Sequence, residues 1–309
     1  MSPNDDTLRW LLDGDVAVQY QTRRYLLGEP PHALEPLQRR IATEGWGARF
    51  LAARRPDGHW GRAYYAPKWT STHYTLLDLK NLAFPPQNEA VQASVDMVLD
   101  MPKATDGGIG FARSLSRSDV CVNGMVLSFA AYFKGTDERL NPFIDYLLDM
   151  RMPDGAWNCE IRNGACQGSL HTTLSVLEGL LEYRLAGNTY RLDAIRAAEQ
   201  GGVEFLLEHH LFKSRRTGLP IGPKFTRLNY PSRWWFNILR ALDYFRQAGL
   251  PYDERLEDAL KLLTQKQKRG RWLLPAPHPG QVHFEMEKPG KPSRWNTLLA
   301  LGVLGWAGA

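Results

Sequence analysis

One turn unit recurs along this chain: Pro56-Asp-Gly-His-Trp60-Gly, Asp106-Gly-Gly-Ile-Gly-Phe111, Pro153-Asp-Gly-Ala-Trp157 and Arg269-Gly-Arg-Trp272. Thr217-Gly-Leu-Pro220 is a degenerate copy. Asp-Gly and Gly-Gly steps favour turns with positive φ. Each unit follows an apolar run such as Val98-Leu99 or Leu262-Leu263, so each reads as a helix stop. The aromatic residue after the turn can then fold back onto the helix end. Such repetition constrains the fold strongly, because each copy must stack on its neighbours to bury its apolar face.

Beyond each turn a second helix begins. The apolar pattern aligns five of these starts at His73, Cys121, His171, Arg233 and Arg294, at intervals of 48, 50, 62 and 61 residues. Ser71, Ser118, Ser169, Ser232 and Ser293 come just before them, as helix N-termini prefer. Pro231-Ser-Arg-Trp234 and Pro292-Ser-Arg-Trp295 are one tetrapeptide used twice. Amphipathic segments over 88–101, 138–150, 191–211 and 254–267 lie between these helices, and 7–27 with 33–53 form a further pair. No alternating β-branched run is long enough for a sheet. The expectation is an all-α fold, an α/α toroid of about five to six helical hairpins in two concentric layers. It would be a single domain over 1–309, with helices in 7–53 completing the ring.

With 309 residues, 43% hydrophobic and 23% charged, a sizeable core is affordable and a disordered chain is excluded. Cys121, Cys159 and Cys166 are too few for a disulfide framework. The opening residues do not form a charged-then-apolar leader, and the longest apolar stretch, 298–309, is too short to span a bilayer. A soluble cytoplasmic protein is expected. The net charge of +5 is diluted along the chain apart from the cluster Gln265–Arg271. It favours anionic ligands in general and does not identify a nucleic acid.

The turn units resemble the glutamine-tryptophan repeats of squalene-hopene cyclases. The hairpin array also resembles the β subunits of protein prenyltransferases, over roughly residues 45–309. A shared fold of this kind says little about the reaction. The aligned helix starts carry the candidate chemistry. His73, Cys121 and His171 share one register, Asp119 lies two residues before Cys121, and imidazole, thiolate and carboxylate together suit zinc. Prenyltransferase β subunits bind zinc through an Asp-x-Cys pair and a later His. Asp119-Val-Cys121 and His171 match that pattern, so the resemblance implies a zinc held by Asp119, Cys121 and His171. Cys159 and Cys166 before His171 offer a less regular alternative set.

Arg233 and Arg294 would stand at helix N-termini, where backbone amides favour anions, and their planar forks suit phosphate. The resemblance implies a diphosphate there. Pairing with Glu285 or Glu287 is the structural alternative. Trp234 and Trp295 would line an apolar pocket for an isoprenoid, or pack between helices. His73 reads as a further metal ligand, as a general acid or base beside the metal, or as a hydrogen-bonded core residue, and the apolar seam of its helix through Leu76, Leu77, Leu79 and Leu82 favours the cavity over the core. Three classes follow. The first is a zinc-dependent transferase of prenyl or alkyl groups, or a hydrolase, activating a thiol or water against an anionic, isoprenoid-like substrate. The second is a metal-independent terpenoid-cyclase-like enzyme, although the Asp-x-Asp-Asp acid of protonating cyclases is absent. The third is a noncatalytic scaffold for a peptide, protein or nucleic-acid partner with a structural metal.

Overall fold

A computed structural model describes residues 5–110 and 118–308. Among them are thirteen helices: α1 (Asp5–Leu12), α2 (Val16–Tyr25), α3 (Pro31–Arg40), α4 (Gly45–Ala52), α5 (Thr72–Asn81), α6 (Glu89–Leu99), α7 (Val120–Lys134), α8 (Asn141–Asp149), α9 (Leu170–Leu185), α10 (Leu192–Glu208), α11 (Ile238–Gln247), α12 (Glu257–Gln265) and α13 (Arg294–Trp306). The fold is all-α. The described strands, β1 (Gln267–Lys268), β2 (Arg271–Leu273) and β3 (Pro292–Ser293), form one small antiparallel sheet in the order β1-β2-β3. Their length is why alternation did not reveal them. None of the described helices is long and apolar enough to cross a membrane.

The chain divides into two compact units, one of residues 1–53, 81–85 and 209–309, the other of 54–80 and 86–208. In the first unit α13 packs on α1, α2 and α11, so the chain's first and last helices share one core. The apolar stretches 7–27 and 33–53 each break into two helices. Gly14 and Asp15 interrupt the first, where the Asp15 carboxylate accepts from the backbone N–H of Ala17 (2.9 Å) and of Trp46 (2.8 Å).

In the second unit α7 and α9 pack along their length. Their approach rests on two glycines that face each other. A Cβ on Gly124 would lie 2.7 Å from the Ser175 carbonyl oxygen, and one on Gly179 would lie 2.4 Å from the Gly124 carbonyl oxygen. Most residues of α7 and α9 are buried, twelve of 15 and eleven of 16, whereas α6, α8, α10 and α12 bury one face. The two kinds of helix expected from the sequence are therefore present.

The turn units owe their recurrence to a shared hydrogen-bonding scheme. Trp60, Trp157 and Trp272 are fully buried. Each has its backbone N–H accepted by a threonine hydroxyl near the start of the helix that follows: Thr72 (3.1 Å), Thr173 (3.1 Å) and Thr297 (3.0 Å). In the second copy the amide of Asn123 takes this role, accepting from Ile109 N–H (2.8 Å) and donating to its carbonyl (3.2 Å). Phe111, the aromatic of that copy, lies outside the described residues. The indole N–H of Trp157 donates to the carbonyl of Leu147 in α8, and that of Trp272 to Leu263 in α12. A turn, the helix before it and the helix after it are thus tied by buried bonds, each costly to leave unmade.

Candidate active site

His73, Cys121 and His171 are the second residues of α5, α7 and α9, so the register read from the sequence is the real one there. Arg294 opens α13. Arg233 departs from it. α11 begins five residues later, at Ile238, with Asn237 as its cap accepting from Arg240 N–H (3.0 Å). Arg233 itself is held at φ 58° in the connection before the helix. The apolar run Trp234-Trp235-Phe236 imitates a helix start, and the Asn237 cap overrides it.

His73 is fully buried. Its Nδ1 shares a 2.8 Å hydrogen bond with the Tyr64 hydroxyl, and its backbone N–H donates to the Tyr64 carbonyl (3.0 Å). The rings of Tyr64, Tyr65, Tyr74 and Phe129 surround the imidazole at 4.8–5.7 Å between centroids. Burial, with the Lys68 charge adding to it, lowers the pKa to about 3. The imidazole is neutral at pH 7. Residues 72–79 are all buried, so this stretch of α5 has no separate seam and His73 no solvent-lined side. That removes the reason given above for setting it apart from the core.

Beside these rings lies a group of thiols and a carboxylate. Asp119 occupies the N-cap position of α7 but makes no capping bond with its side chain. Burial first, and then the Glu160 charge, raise its carboxyl above the usual range, against the opposing charge of Lys68. The Cys121 backbone N–H donates to the sulfur of Cys159 (3.2 Å), and the Thr172 hydroxyl donates to the same sulfur (3.4 Å). The two thiols also hydrogen-bond each other. That bond is the first cause both of the raised pKa of Cys121 and of the lowered pKa of Cys159. Tyr65, whose hydroxyl meets that of Tyr74 at 2.8 Å, has its own hydroxyl pKa raised by burial and further by the charges of Cys121, Asp119 and Cys159. His171 is half-buried one residue before Thr172.

Among the described residues no group of three or more His, Cys, Asp and Glu side chains is placed to hold a metal ion. Cys159 pairs with Cys121 and not with Cys166, which is exposed and directs its thiol at the Gly164 carbonyl (3.3 Å). The signal for Cys159 was present in its position after the Trp157 turn. Its partner, 38 residues earlier, could not be read from spacing.

The other candidates lie in the first unit. Arg294 donates its Nε–H to the Trp10 carbonyl (2.9 Å) and stacks over the Trp10 ring (4.7 Å). Its backbone N–H donates to Glu287 (2.6 Å), whose carboxylate also accepts from Ser293. The Arg294 guanidinium therefore braces α1. Trp295 is buried, stacked on Tyr230 (4.5 Å, 20°) and tilted against Trp46. Trp234 stacks on Trp235 (4.0 Å), which stacks on His278 (5.0 Å). Arg233 is buried nearby, and burial followed by its charge lowers His278 and His283 to about 4.

No protein-family model and no curated protein matches the sequence. Among solved structures the chain is similar to the type II terpene cyclase MstE from Scytonema in its apo form. That match has 15% identity over 86% of this chain and 96% of that one, at a TM-score of 0.36. A variant of MstE in complex with geranylgeranyl dihydroxybenzoate, described as its substrate, matches at 16% identity over 87% and 96%, at a TM-score of 0.35.

Proposed function

We propose that this chain is a metal-independent, terpenoid-cyclase-like enzyme that protonates an alkene of an isoprenoid-like substrate, with Asp119 as the acid. The carrying observation is a desolvated carboxyl at the start of α7 that caps nothing, beside a cluster of aromatic rings. A general acid works best when its pKa is moved toward the operating pH, and burial moves Asp119 in that direction. In the step proposed, the Asp119 O–H bond breaks and its proton joins one alkene carbon. The π electrons form the new C–H bond, and the other carbon becomes cationic. Tyr65, Tyr74 and Trp69 present π faces, which attract cations by about 0.5–2 kcal/mol each. Lys68 favours the carboxylate left behind. Loss of a proton from the rearranged cation completes an isomerisation or cyclisation with no net redox change. His73, neutral and enclosed, holds Tyr64 in this scheme.

The test is product analysis with linear polyprenes of 15 to 30 carbons (general probes, chosen for their chemistry) in the presence of a chelator. The parent should give cyclised or isomerised hydrocarbon, and Asp119→Asn should abolish it while retaining substrate binding. Undiminished turnover in Asp119→Asn, or turnover in the parent that requires added zinc, would overturn the proposal.

A further inference from the structure

The paired sulfurs of Cys121 and Cys159 have no part in the alkene chemistry. Two donors converge on the Cys159 sulfur, the Cys121 backbone N–H (3.2 Å) and the Thr172 hydroxyl (3.4 Å), and the Cys121 thiol lies within hydrogen-bond reach of it. The N–H belongs to the first turn of the 15-residue helix α7, where the backbone carries partial positive charge. Donors around a sulfur fix its position, and the second thiol that a disulfide would need already touches it. Cys159 sits on the connection 150–169 while Cys121 sits on a helix, so joining them asks only the connection to adjust. Both sulfurs belong to residues that are partly exposed.

We propose that Cys121 and Cys159 form a redox-active dithiol that exchanges with small disulfides of the glutathione class. In the first step the Cys159 sulfur attacks one sulfur of the external disulfide. The external S–S bond breaks, a mixed disulfide forms on Cys159, and one external thiol leaves with the proton that Cys159 gave up. In the second step the Cys121 sulfur loses its proton to solvent and attacks the Cys159 sulfur, expelling the second external thiol. Two protein thiols are oxidised to one disulfide and one external disulfide is reduced to two thiols. The new bond would fasten the start of α7, two residues from Asp119, to the connection before α9. Oxidation would therefore act on the position of the proposed acid without touching it.

The experiment uses the full reduced chain with oxidised glutathione over a range of reduced-to-oxidised ratios, acid quenching, alkylation and peptide mass spectrometry. The expected product is a Cys121–Cys159 disulfide in at least tenfold excess over any species joining Cys166. Cys121→Ser should trap glutathione on Cys159, whereas Cys159→Ser should leave Cys121 reduced. Cys166→Ser should leave the pair's behaviour unchanged. Glutathione found on Cys166 alone, or a Cys159–Cys166 disulfide as the main product of the parent, would overturn the proposal. The parent measurement stands even if a variant fails to fold. Its outcome is also independent of whether Asp119→Asn abolishes alkene turnover.

Discussion

The imidazole of His73 should make the protein acid-sensitive by an amount that follows from its burial. Its pKa is about 3 in the folded protein, against the ordinary value of 6.5 expected once the chain unfolds. A histidine with a lowered folded pKa is a stabilising element only while both states are neutral. Below 6.5 the unfolded chain takes up a proton that the folded one refuses, so stability falls as pH drops from 6.5 toward 3. Integrating that difference from pH 7.5 to pH 5.0 gives a loss of about 2 kcal/mol for this one group. The figure changes by only about 0.1 kcal/mol if the folded value is one unit higher, because at pH 5 the unfolded state dominates the sum. The assay is urea unfolding at the two pH values for the parent and for His73→Asn, whose amide oxygen can still accept from Tyr64. The variant carries a pH-independent cost from lost volume, which drops out of the difference between pH values. His278, His283 and the carboxyls contribute equally to both proteins. The parent should lose about 2 kcal/mol more than the variant on acidification. Equal losses, or a His73 resonance titrating near 6.5 in the native protein, would refute the reasoning.

Other substitutions probe the packing. Thr173→Val removes a hydroxyl that both accepts from and donates to the backbone of buried Trp157. Two backbone groups then lose their partner without a large cavity, so unfolding in urea should show a loss of about 2–4 kcal/mol. Gly124→Ala and Gly179→Ala each push a methyl into opposing backbone. Either should cost about 1–3 kcal/mol or more by the same measurement, and Gly179, with the tighter contact, should be the worse. Arg139, which bridges Asp96, Asp100 and Asp137 on the surface, is a contrast: Arg139→Ala should change thermal stability by the equivalent of about 1 kcal/mol or less.

The outer helices were legible because one wet face imposes a 3.6-residue pattern, and α6, α8, α10 and α12 fall within the expected segments. Within α5 the same reasoning failed. Its residues 72–79 are buried all round, and no seam exists from which His73 could be excluded. Arg233 was misplaced because three aromatic residues mimic a helix that the Asn237 cap starts later. Asp119, Cys121 and His171 were singled out as candidates by resemblance and register, and the structure puts them at the starts of α7 and α9. The partner that matters to Cys121, Cys159, comes from a connection whose path no local pattern encodes. Tyr64 and Thr172 were missed for the same reason: each matters through one contact across the fold, and nothing in its own neighbourhood marks it.

The bonds that fasten each turn aromatic or its equivalent to the helix ahead span 12, 14, 16 and 25 residues. Each copy is therefore a short closed cycle in its own right. The entropy of closing such a cycle grows only logarithmically, so the longest costs about 0.6–0.7 kcal/mol more than the shortest. No copy waits for a distant part of the chain before it can form this tie. A chain built in this way can gain or lose a hairpin, or lengthen the connection between 273 and 292, without reopening closures made elsewhere.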